Sequence, residues 1–88
     1  MNKLELFTTA FIECQKMILK YPDFPPLLSV CNQLQYLIEL AEGKRHDSQL
    51  LETINLGLIA AREIETIDVE LADLLHKVNA ELDQLICR

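Results

Sequence analysis

Basic residues are scarce where acids are most abundant. Between positions 63 and 83, Lys77 stands alone against Glu63, Glu65, Asp68, Glu70, Asp73, Glu81 and Asp83. The net charge of -6 over 88 residues is therefore carried by this stretch, and the rest of the chain is neutral. Such an asymmetry disfavours nucleic acid and anionic membranes and favours a basic partner surface, unless the acids serve only as a solvated face. Glycine is equally short, with Gly43 and Gly57 far apart, so no phosphate-cradling loop can be built. The three cysteines, Cys14, Cys31 and Cys87, lack C-x-x-C spacing. This excludes a zinc ribbon or a disulfide framework and fits reduced thiols. Long apolar runs are missing too: the longest uncharged stretch, Phe24 to Ile38, is too short and too polar to span a bilayer. Glu5 and Glu13 interrupt the N-terminus where a secretion signal needs a basic region and an apolar core. A cytoplasmic protein is expected.

Half of the residues are apolar, enough for one packed core in a chain too short to divide into several. The rhythm of those residues predicts a single helical domain over 1–88, an all-α four-helix up-and-down antiparallel bundle with helices at about 3–20, 24–42, 48–65 and 68–86. Leu4, Phe7, Phe11, Cys14 and Ile18 step by three and four. Pro22 ends this first helix, Asp23 can cap the second, and Pro25 and Pro26 are tolerated in its first turn. Leu27, Val30, Leu34, Leu37 and Ala41 continue the rhythm to Gly43, a natural stop. Asp47 or Ser48 can cap a third helix, with Leu51, Ile54, Leu58 and Ala61 as one stripe and Leu50, Ile54, Gly57 and Ala61 as another. Asp68 is the expected cap of the fourth, whose seam is Leu71, Leu75, Val78, Leu82 and Leu85. Gly57 sits on the inward side of the third helix, where glycine costs about 0.5–1 kcal/mol relative to alanine. Close approach of a neighbouring helix offsets that cost; the other reading is a shallow groove for a partner.

Catalysis needs a nucleophile or an acid/base pair converging in a cleft. His46 falls in a polar connection and His76 on the fourth helix, neither in a catalytic motif. Asp73 and His76 at i, i+3 loosely resemble the Glu-x-x-His of di-iron bundles, but the seams are apolar and no second such motif exists. No enzyme activity, metal or cofactor is expected. Partner surfaces are better represented. With Leu34 and Leu37 inward, Tyr36 turns outward beside Ser29, Asn32, Gln33 and Glu39, as an interface anchor would. Asp68, Glu70 and Asp73 lie near the positive end of the fourth helix, which they stabilise. Glu63 and Glu65 lie at the negative end of the third, where they destabilise it by about 0.3–1 kcal/mol each, partly relieved by Arg62.

The order of short elements is familiar: "YP" at Tyr21–Pro22, "LLS" at Leu27–Ser29, "QLQY" at Gln33–Tyr36, "LG" at Leu56–Gly57, Ala60 then Glu63, and Asp68-x-Glu70-Leu71. In this order the chain resembles the small helical immunity proteins encoded beside a type VI secretion toxin that hydrolyses NAD(P). The resemblance runs from about Tyr21 to Leu75. It implies a cytoplasmic antitoxin without catalysis of its own, which binds a cognate toxin domain and blocks its active site. That toxin would present a basic, nucleotide-binding surface and act on NAD(P) or another nucleotide. Candidate contact residues are Glu63, Glu65, Asp68, Glu70, Asp73, Tyr36 and Gln33, on a chain that is a monomer or weak homo-oligomer when free. The competing reading is a self-associating dimerisation or adaptor module.

Overall fold

The computed structural model describes residues 2–44 and 54–86, and among these every regular element is helical. The first helix, α1, spans Lys3–Lys20. Its exposed first N–H groups are met by a capping box: Asn2 Oδ1 accepts from the Glu5 N–H at 2.8 Å, and Glu5 Oε1 accepts from the Asn2 N–H at 3.1 Å. Leu6, Phe7, Ala10, Cys14 and Met17 are its buried face, with Phe11 and Ile18 half-buried at the edge.

Tyr21 closes α1 by donating its N–H to the Met17 carbonyl at 2.9 Å, and Pro22 prevents continuation. Helix α2 then runs Pro25–Ala41 with Phe24, not Asp23, as its N-cap, and no side chain caps it. The expected Asp23 cap is thus corrected. Pro25 and Pro26 have no N–H to offer, and the Leu27 N–H is taken by the Phe24 carbonyl at 3.1 Å, so a capping carboxylate has little to bind. At the other end Gly43 adopts φ +80°. Its N–H bonds the Leu40 carbonyl and the Lys44 N–H bonds the Glu39 carbonyl, a Schellman closure that requires a left-handed residue.

The third element departs most from expectation. Among the described residues helix α3 starts at Leu56, and after Leu56–Ile59 it widens into a π turn over Ala60–Ile64, closed by the Glu65 N–H donating to the Ala60 carbonyl at 3.0 Å; the expected start near 48 lies outside the described residues. Ile54 and Asn55 precede it outside any helix. The proposed caps at Asp47 and Ser48, together with Leu50 and Leu51, lie outside the described residues, as does the side chain of Leu85. Asn55 is held instead by Gln33 of α2: the Asn55 N–H donates to Gln33 Oε1 at 3.1 Å, and Gln33 Nε2 donates to Asn55 Oδ1 at 2.9 Å.

The buried stripe of this element is Leu56, Ala60 and Ile64, while Leu58 and Ala61 face solvent, contrary to the expected stripes. Four-residue steps on an α-helix drift by about 40° each. The wider π turn unwinds the drift, so that Leu56 and Ile64 both reach the core.

After the turn, Asp68 Oδ1 accepts from the N–H groups of Glu70 at 3.0 Å and Leu71 at 3.2 Å, the expected cap of α4, Val69–Ile86. Leu71, Ala72, Leu75, Val78 and Leu82 are its buried seam. The helices pack as a ring, with α1 against α2 and α4, and the α3–π segment against both α2 and α4. Among the described residues this is the all-helical, four-helix architecture that the sequence implies.

Candidate partner-binding face

Of the residues expected at a partner surface, Glu63, Glu65, Glu70 and Asp73 are exposed, and they gather around the corner between the π turn and the start of α4. Asp68 sits among them half-buried, one oxygen committed to the α4 cap. Asp73 pairs with Lys77 one turn on at 3.3 Å, an exposed contact of the kind worth under about 1 kcal/mol. Glu65 Oε2 lies 3.3 Å from His76 Nε2, and in the tautomer that protonates Nε2 the ring donates to the carboxylate. The acid that sat awkwardly at the negative end of a helix therefore has a partner across the corner. Glu63 has no comparable explanation; its backbone carbonyl accepts from Thr66 Oγ1 at 2.8 Å, and its side chain faces solvent.

Gln33 and Tyr36 are not part of that corner. Gln33 is occupied with Asn55 and with Ser29 Oγ, to which its amide donates at 3.1 Å. Tyr36, expected outward, is only 6% exposed and belongs to the core. The outward placement assumed one buried stripe on α2. In fact α2 packs against both α1 and the α3–π segment, so more than one stripe of it is covered.

Gly57 is half-buried against α4. A Cβ there would lie 3.1 Å from the Asn79 side-chain amide, which supports close helix approach over an open groove.

The remaining chemistry is quiet. Among the described residues no group of three His, Cys, Asp or Glu is placed to hold a metal. Asp73 and His76 turn to separate partners, Lys77 and Glu65. Cys14 is fully buried and directs its thiol at the Leu27 carbonyl, 3.4 Å away. Burial first, and the neighbouring Cys31 thiol second, push the Cys14 pKa up to about 12. Cys31 is also raised by burial, partly offset by its bond with Cys14. Neither is thiolate at neutral pH, so neither is a ready nucleophile. No described helix is long and apolar enough to cross a membrane.

The apolar rhythm alone does not reveal the Asn2-x-x-Glu5 capping box; its signal is a polar residue followed three positions later by an acid. The π turn carried no such signal, and without it the outward positions of Leu58 and Glu65 could not be assigned.

A family model described as Tsi6 matches residues 2–84 of the chain. The curated "Immune protein Tsi6" of Pseudomonas aeruginosa is 31% identical over 72 residues, covering 82% of this chain and 77% of that protein. The solved structure of Tsi6 from Pseudomonas aeruginosa superposes with a TM-score of 0.83 at 29% identity, covering 89% of this chain and 81% of that one.

Proposed function

Since the chain belongs to the Tsi6 family of small helical immunity proteins, we propose that it neutralises a cognate interbacterial toxin by seating on the toxin domain and blocking its active site. The observation that carries this reading is the family match over nearly the whole chain, residues 2–84. The physical character of the surface is consistent with it. An inhibitor of this kind needs a rigid scaffold and a complementary face, and no reacting groups of its own. The four-helix core supplies the scaffold, and the exposed carboxylates of Glu63, Glu65, Glu70 and Asp73 supply a face in which acids outnumber the bases Arg62 and Lys77.

The toxin is of the type VI-delivered kind and consumes NAD(P) or a related nucleotide. A site that binds dinucleotide phosphates is lined with basic groups, and an acidic plug is attracted to it at a rate that falls as salt is added. The immunity protein acts in the cytoplasm of the producing cell, where the toxin would otherwise find its substrate, and it acts by occupancy alone. Within the acidic corner Glu63 is the most informative contact, because the fold gives its side chain no other task. Gln33 holds Asn55 at the entry to α3, and Asp68 holds the start of α4 that presents Glu70 and Asp73.

Co-expression tests the reading. The chain rescues cells producing the toxin domain encoded beside it, and the rescue does not extend to toxins of unrelated sequence. Continued killing by that neighbouring toxin, with the chain well expressed and folded, would refute it.

A further inference from the structure

The outer side of the α3–π segment and α4 carries two large apolar side chains turned to solvent: Val69, 70% exposed at the first position of α4, and Leu58, 50% exposed on α3. They lie on two stripes. Leu58, Arg62 and Glu65 follow one another by four and three residues, as do Val69, Asp73 and His76, and all six are exposed. Such spacings place Val69, Asp73 and His76 along one side of α4, while Leu58, Arg62 and Glu65 are exposed residues of the α3–π segment leading to it. The 3.3 Å contact between Glu65 and His76 joins the two stripes into a single surface. The fold has little use for Val69 there, since a β-branched residue is a modest helix former and this one contributes almost no burial. Binding surfaces do have a use for it: their energetic centre is apolar, desolvated on association and surrounded by polar groups that exclude water.

We propose that this two-stripe surface is the docking face for the toxin domain, and that Val69, supported by Leu58, is its apolar anchor, entering a pocket on the toxin rimmed by Lys and Arg. The inference rests on the immunity reading and adds the face and the anchor. The occupant follows from charge, because four of the six residues of the face, the acids Glu65 and Asp73 among them, come from the stretch 63–83 that holds seven acids and one base. A second apolar surface exists on the α1–α2 side, where Leu19 is 84% exposed and lines a shallow groove with Ile18 and Cys31. That side belongs to the charge-balanced part of the chain and offers nothing to attract a basic partner.

The comparison of the two surfaces is the test. The purified full chain and its variants are titrated calorimetrically into the toxin domain encoded beside it, with thermal unfolding recorded for each variant. Val69→Ser is expected to weaken binding at least tenfold with the melting midpoint unchanged, and Leu19→Ser to stay within twofold of the original chain. Should Val69→Ser lower the midpoint, Leu58→Ser on a separate element makes the same comparison and is expected to weaken binding at least threefold. Binding within twofold for both Val69→Ser and Leu58→Ser, or a larger loss with Leu19→Ser, would overturn the docking face while leaving the immunity function intact. Absence of binding by the unsubstituted chain would overturn both.

Discussion

A glycine and a cysteine show how single residues are used in this chain. Gly57 tolerates no more than a small neighbour because the Asn79 amide is where a Cβ would press, at 3.1 Å. That amide is a side chain able to move a few tenths of an ångström. Gly57→Ala therefore stays within about 1 kcal/mol of the original stability, the helix-propensity gain offsetting the crowding. Gly57→Leu costs more, about 1–3 kcal/mol by overpacking against α4. Urea unfolding of the two variants separates these outcomes, and equal midpoints would show that the space beside Gly57 is open. Cys14 gives the fold an alkaline limit. Its ordinary pKa of 9.0 is raised to about 12 in the folded chain, so the native state prefers the protonated thiol. The stability this contributes is complete below pH 9 and is lost as pH rises from 9 towards 12. A Cys14→Ala variant, less stable at neutral pH, should lose less of its remaining stability over that window. Parallel pH profiles would contradict the assignment.

At the scale of the element, legibility followed the strength of local signals. Helices α1, α2 and α4 were readable because their apolar residues recur at three and four, and because Pro22, Gly43 and Asp68 mark ends by mechanisms that depend on few neighbours. Asp68 illustrates this: its carboxylate bonds two N–H groups at the start of α4. Asp68→Ala should destabilise the protein by about 0.5–2 kcal/mol, measured as a fall in the denaturation midpoint, whereas Asp68→Asn should retain most of the loss-free value. The third element was misread because its shape is decided by tertiary contacts. Gln33 fixes Asn55 from another helix, and the π turn brings Ile64 back to the core. Periodicity at 3.6 residues assumes a regular helix and sees neither. Periodicity likewise places Tyr36 outward, because it counts one buried stripe on α2, whereas Tyr36 is buried as well.

For the whole molecule, the division of charge matters more than any one acid. The bundle keeps its apolar residues in a single core drawn from every helix. Five of the seven acids of the stretch 63–83, Glu63, Glu65, Asp68, Glu70 and Asp73, fall at the end of the π turn and the start of α4, outside that core. Of the proposed face, Glu63, Glu65, Glu70 and Asp73 stand out in the sequence as acids, and the structure shows them exposed, while Leu58 and Val69 do not, because an apolar residue in a helical pattern reads as core until the helix faces are known. The central claim is that this chain inhibits a toxin by occupying it. The most direct measurement adds the purified chain to the purified toxin domain encoded beside it and follows hydrolysis of NAD(P) against the ratio of the two proteins. Activity should fall in proportion to added chain and vanish at one equivalent. A toxin that remains fully active with the chain in large excess would contradict it.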